Sequence, residues 1–100
     1  MKNGNYIDTK LDNLKKLKRE LFNDNITSSE TYVRLCLENV KTQTEKDLLD
    51  MLKEFDAICF NIKCRIFKED ISMYKKEFDR LDTLLTNIRD LIDIVEWNPT

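Results

Sequence analysis

Apolar residues recur through the second half of the chain at alternating steps of three and four. Ile71, Tyr74, Phe78, Leu81, Leu85, Ile88, Ile92 and Val95 form an unbroken heptad seam, the pattern that keeps one stripe of a helix against a partner helix. Pro99 biases Asn98 away from helical backbone, so a helix over about 71–97 should stop at Glu96 or Trp97. Upstream, Leu48, Leu52, Phe55, Cys59, Ile62 and Ile66 mark a second helix, about 44–68. Thr42-Gln43-Thr44-Glu45 is its capping box, with the Thr42 hydroxyl as cap and Glu45 at the third helical position. A further stripe through Ala57, Phe60, Cys64 and Phe67 predicts a wide apolar face that touches two neighbours.

The first half carries shorter patterns. Ile7, Leu11, Leu14, Leu17 and Leu21 share one face of a helix over about 7–23, with Asp8 or Thr9 as cap. It should end where Asn23-Asp24-Asn25 competes for its own backbone hydrogen bonds. Thr27-Ser28-Ser29-Glu30 reads as a capping box for a helix over about 28–40. That helix is apolar on most sides, through Tyr32, Val33, Leu35, Cys36, Leu37 and Val40, and should be covered by neighbours. Residues 1–5 are polar and expected to be disordered.

The join between the two long helices decides the architecture. The stripe from Ala57 to Phe67 steps into Ile71, Tyr74 and Phe78 in phase, so one rod over 42–97 is conceivable. At 1.5 Å per residue it would be about 84 Å long and would need a second chain beside it. Asp70-Ile71-Ser72 is the nearest approach to a breaker, with Asp70 or Ser72 able to cap a new helix. Two helices of about 36 and 40 Å match as antiparallel neighbours. The expected fold is therefore all-α, a small four-helix bundle. A short helical hairpin (about 7–23, 28–40) packs on a long antiparallel one (about 44–68, 71–97), and residues 1–100 form a single domain.

Composition agrees with that picture. The chain has one glycine, Gly4, and one proline, Pro99, so tight turns that need positive φ are scarce. With 41% apolar and 36% charged residues it can fill one core and solvate it. The near balance of 17 basic and 19 acidic residues argues against nucleic-acid or membrane partners on bulk electrostatics. The sequence begins without an apolar signal-peptide stretch and has no run long enough to span a membrane, which predicts a cytoplasmic protein. Cys36, Cys59 and Cys64 are odd in number and read as free thiols, Cys59 as a small core residue. Richness in Lys, Asn, Ile and Asp suggests an AT-rich genome, such as that of a phage or mobile element of a low-GC bacterium.

The same composition narrows the chemistry. There is no histidine, hence neither the commonest general base nor the usual zinc ligand. With a single glycine there is no phosphate-binding loop. No catalytic residue, cofactor site or metal site is predicted, and the chain is read as a non-enzyme. Past residue 80 the apolar face is too wide for one antiparallel partner, through Leu84, Leu91, Ile94 and Trp97. Asp79, Asp82, Asp90 and Asp93, with Glu96, line the outer side of the same helix.

Exposed apolar surface of this kind marks an association site, so a protein partner or a homodimer is expected there. The leading function is a helical interaction module that binds and regulates or inhibits another protein. Bacteriocin-immunity-type proteins resemble it in fold class alone, as helical bundles of similar size, and form one alternative. A nucleic-acid-binding regulator is the other, using the basic helix at 10–19 through Lys15, Lys16, Lys18 and Arg19.

Overall fold

In the computed structural model, backbone is described for residues 2–65 and 74–99, and side chains for 6–64 and 74–99. Among the described residues there are five helices and no strand: α1 (Lys2–Glu20), α2 (Asp24–Thr27), α3 (Glu30–Cys36), α4 (Gln43–Arg65) and α5 (Lys75–Ile94). The two long helices α4 and α5 pack on each other within one chain, so the seam closes as a hairpin and the rod is discarded. Its antiparallel sense is fixed at two levels. Arg80 pairs with Glu54 at 2.6 Å, and the first turn of α4 (Thr42–Glu45) shares a cleft with the end of α5 (Ile94–Val95). The proposed breaker at Asp70 and Ser72, with Ile66, Phe67 and Ile71, lies outside the described residues.

The seam residues Tyr74, Phe78, Leu81, Ile88, Ile92 and Val95 are buried, and Leu85 is half-buried. Across from them Leu48, Phe55, Cys59 and Ile62 are buried, as the main stripe of α4 predicts. Helix α1 lies antiparallel to α4, shown by Asp8–Lys63 at 3.2 Å and Lys18–Asp56 at 2.6 Å. It brings Ile7, Leu11 and Leu14 into the same core and also reaches α5, where the Lys10 ammonium sits 4.7 Å from the centre of the Phe78 ring. Each fully buried Leu, Ile or Phe contributes about 1.5–3 kcal/mol, against roughly 0–1 kcal/mol for an exposed ion pair. The apolar seam therefore dominates stability, and the surface ion pairs tune register.

Several expectations change. Helix α1 begins at Lys2, ahead of the start expected near residue 7. Asp8 does not cap it but pairs with α4. The expected 28–40 helix is shortened to α3, and a separate turn, α2, forms ahead of it over Asp24–Thr27. Asn23 caps α2 by accepting from the Ile26 amide, and Ser29, not Thr27, caps α3 by accepting from the Tyr32 amide. Thr27 instead closes α2, its hydroxyl donating to the Asp24 carbonyl. Of the apolar residues of α3 and its exit only Leu35 is buried, and Val33, Cys36 and Leu37 face solvent. The second stripe of α4 is also bare, with Ala57, Phe60 and Cys64 exposed. One stripe suffices because α1 and α5 lie close enough together to be met by a single arc of α4.

Helix α5 stops at Ile94, earlier than Pro99 alone would require, because Val95 turns to extended backbone (φ −76°, ψ 137°). Residues 95–99 leave as a strap that crosses to the start of α3. There the Glu30 amide donates to the Asn98 carbonyl at 2.8 Å, forming an isolated bridge between Ser29 and Pro99. The Trp97 indole donates to the Ile92 carbonyl at 3.0 Å, satisfying one of the carbonyls left open at the helix end.

The scarcity of glycine has a visible cost at the end of α3. The Glu38 amide donates to the Leu35 carbonyl and the Asn39 amide to the Arg34 carbonyl, a Schellman motif. Its left-handed position is held by Glu38 at φ 58°, where glycine is the usual residue. The Lys53 ammonium steadies that glutamate at 2.8 Å. Glu38→Gly should raise stability by about 0.5–1 kcal/mol in urea unfolding, through relief of the backbone alone. A lower midpoint would show that the ion pair outweighs the strain.

Candidate functional site

Three elements meet beside the core: the end of α1, the short helix α3 and the middle of α4. They leave between them an open groove of about 570 Å³. Its floor is apolar and aromatic: Phe22, Tyr32, Leu35, Leu49 and Leu52. Its rim is charged, with Lys18 paired to Asp56 and Lys53 paired to Glu38 across it. Lys18 also lies 5.3 Å from the centre of the Phe55 ring, so its ammonium is anchored from two sides. Arg19 lines the same rim. Leu37, between the lining residues Cys36 and Glu38, is 72% exposed at the lip.

The aromatic floor is ordered from behind. Phe22 and Tyr32 lie tilted at 5.5 Å, and Trp97 meets Phe22 edge-on at 6.2 Å. Burial raises the Tyr32 phenol above its ordinary range, and the neighbouring Cys36 adds to the shift by charge and by hydrogen bonding. Cys36 is exposed, Cys64 is exposed farther along α4, and Cys59 lies in the core, where burial pushes its thiol up. All three are free thiols. Among the described residues no three His, Cys, Asp or Glu side chains are grouped to hold a metal ion, and no helix is long and apolar enough to cross a membrane.

A polar knot ties the wall formed by α3 to the start of α4. Arg34 Nη2 donates to both carboxylate oxygens of Glu45, at 2.9 and 3.0 Å, and to the Thr31 hydroxyl at 3.2 Å. Glu45 in turn belongs to the α4 capping box: its amide donates to Thr42 Oγ1, and the Thr42 hydroxyl donates back to its carboxylate. The Lys41 amide adds a longer contact at 3.5 Å. Only 13% of the Arg34 side chain and 7% of that of Glu45 remain exposed, so this is a largely desolvated pair held by several hydrogen bonds. Thr31 completes the knot by donating to the Glu96 carbonyl of the strap at 2.9 Å.

The residues expected to form a partner surface are not brought together. Leu84 is fully buried, Leu91 and Trp97 are half-buried, and Ile94 alone of that set is exposed. The wide apolar arc of α5 is used internally, because the helix meets α1 as well as α4 and its end is covered by the strap. Asp79, Asp82, Asp90 and Asp93 do lie on the exposed side, with Lys75 pairing to Asp79 at 2.8 Å.

The basic cluster is divided. Lys16 and Arg19 are exposed, Lys15 is half-buried and Lys18 is turned to Asp56. The groove itself was hidden in the sequence, because its floor combines Phe22 from beyond the end of α1 with two residues of α3 and two of α4. The Arg34–Glu45 pair left a trace: an arginine in a short apolar helix, followed by a capping-box glutamate.

A small all-helical bundle with an open side groove is the class that this fold and site define. Neither a protein family, a curated protein nor a solved structure matches the chain.

The knot makes a checkable prediction. Arg34→Met leaves the Glu45 carboxylate buried without its partner and should cost about 3 kcal/mol in urea unfolding. Adding Glu45→Met should recover part of that loss, giving a coupling energy of about 1 kcal/mol or more in the double-mutant cycle. Additive losses would mean that the two side chains act separately.

Proposed function

We propose that this chain is a non-enzymatic helical module that binds another protein and regulates or inhibits it. The observation that carries the reading is the groove: an open apolar floor of Phe22, Tyr32, Leu35, Leu49 and Leu52, bordered by fixed charges, with Leu37 exposed at its lip. Apolar floors with polar rims suit an apolar side-chain row from a partner segment, and the rim ion pairs would orient that segment. The absence of histidine and of a phosphate loop in the sequence supports a binding role over a catalytic one. A source in a phage or mobile element fits the composition and the small size.

The site differs from the one suggested by helix periodicity, and that makes it testable. Leu49→Asp and Leu37→Asp change the floor and the lip, whereas Asp82→Lys and Asp93→Lys change the acidic side of α5. Each variant is first checked for native helicity by circular dichroism. Affinity capture from the host should retain a partner with wild-type protein and with both α5 variants, and lose it with both groove variants. A partner that survives the groove substitutions but not the α5 substitutions would overturn the assignment.

A further inference from the structure

Helix α3 has seven residues, too few to be stable by its own hydrogen bonds, so whatever anchors it decides whether the groove has that wall. Its first turn is tied to the strap in two places: the Glu30 amide donates to the Asn98 carbonyl at 2.8 Å, and the Thr31 hydroxyl to the Glu96 carbonyl at 2.9 Å. Trp97, between those two carbonyls, backs Phe22, which in turn leans on Tyr32. Phe22 and Tyr32 line the groove, while Trp97 stands behind them. The strap thus works beside the Arg34–Glu45 knot, bracing the first turn of the wall and the back of the floor without lining the site.

The strap itself is lightly held. Glu96, Asn98 and Pro99 are exposed, so beyond the buried Val95 its attachment rests on the half-buried Trp97, which packs against the core and Phe22, and on a few hydrogen bonds. The α4–α5 hairpin is built on fully buried Phe55, Ile62, Leu81 and Ile88 and does not draw on Trp97 for its seam. Segments with few buried contacts open well below the free energy of global unfolding.

We propose that residues 95–99 are a latch for the groove: docked, they hold α3 in place as its wall, and released, they let that wall dissolve while the hairpin stays folded. The latch rests on the reading of the groove as a binding site only for its purpose, because its motion can be measured without a partner. A factor that captures the strap would thereby switch the groove off.

Hydrogen exchange read by mass spectrometry tests this on the full chain, comparing wild type with Trp97→Ala and with the milder Thr31→Val. The expected result is exchange of the α3 amides faster by about tenfold or more in Trp97→Ala, and by less in Thr31→Val, with α4 and α5 unchanged apart from the last turn of α5, where Trp97 meets the Ile92 carbonyl. Unchanged α3 exchange would overturn the latch. So would a rise shared equally by α4 and α5, since the strap would then be ordinary core. Where Trp97→Ala does not fold, Thr31→Val decides by the same two criteria. Failure of the groove reading shows separately, as partner capture indifferent to Leu49→Asp and Leu37→Asp.

Discussion

Arg34 and Glu45 meet largely out of water, and the two halves of the chain depend on that meeting. Glu45 belongs to the first turn of α4, the start of the long hairpin; Arg34 belongs to a helix of seven residues with one buried apolar side chain, Leu35. Taking two charges from water is expensive, and the pair persists because nearly every lone pair and proton around it has a use. Thr42 closes the carboxylate side, and Thr31 and Glu30 complete the guanidinium side. The Arg34 Nε–H is buried without a hydrogen-bond partner among the described residues, so the knot is tight but not saturated.

Two kinds of stabilisation thus divide the molecule. The α1–α4–α5 core rests on apolar burial, worth several times the exposed ion pairs that decorate it. The region of α2, α3 and the strap contributes little to that core and is fixed by caps, by the knot and by the ring contacts of Phe22 with Tyr32 and Trp97. The groove lies where the two regimes meet. Its floor comes from both, which is why a local change in the polar region would alter the groove without unfolding the bundle.

The long helices were legible because their signal is periodic and repeated: Tyr74, Phe78, Leu81, Ile88, Ile92 and Val95 are buried as the seam requires. The Thr42–Glu45 box was legible for a local reason, since a cap acts within one turn. The segment from Asn23 to Val40 was not, because several residues compete to cap and the winners are chosen by distant contacts. Ser29 displaces Thr27 as cap where the strap pairs with the neighbouring amide. The breadth of the α5 apolar face was read correctly as needing more than one neighbour; Leu84 shows that the neighbours belong to the same chain. The groove had no linear signature at all. Phe22, Leu35 and Leu52 come together only once α1, α3 and α4 are placed.

The central claim is that the Arg34 guanidinium, whose Nη2 reaches both carboxylate oxygens of Glu45, holds α3 on the hairpin. Arg34→Lys tests it most directly, since the charge stays while the planar guanidinium that reaches Glu45, Thr31 and Glu30 together is lost. Urea unfolding should show a loss of about 1–2 kcal/mol, and the amides of α3 should lose protection before those of α4 and α5. A variant with wild-type stability and wild-type protection of α3 would contradict the account.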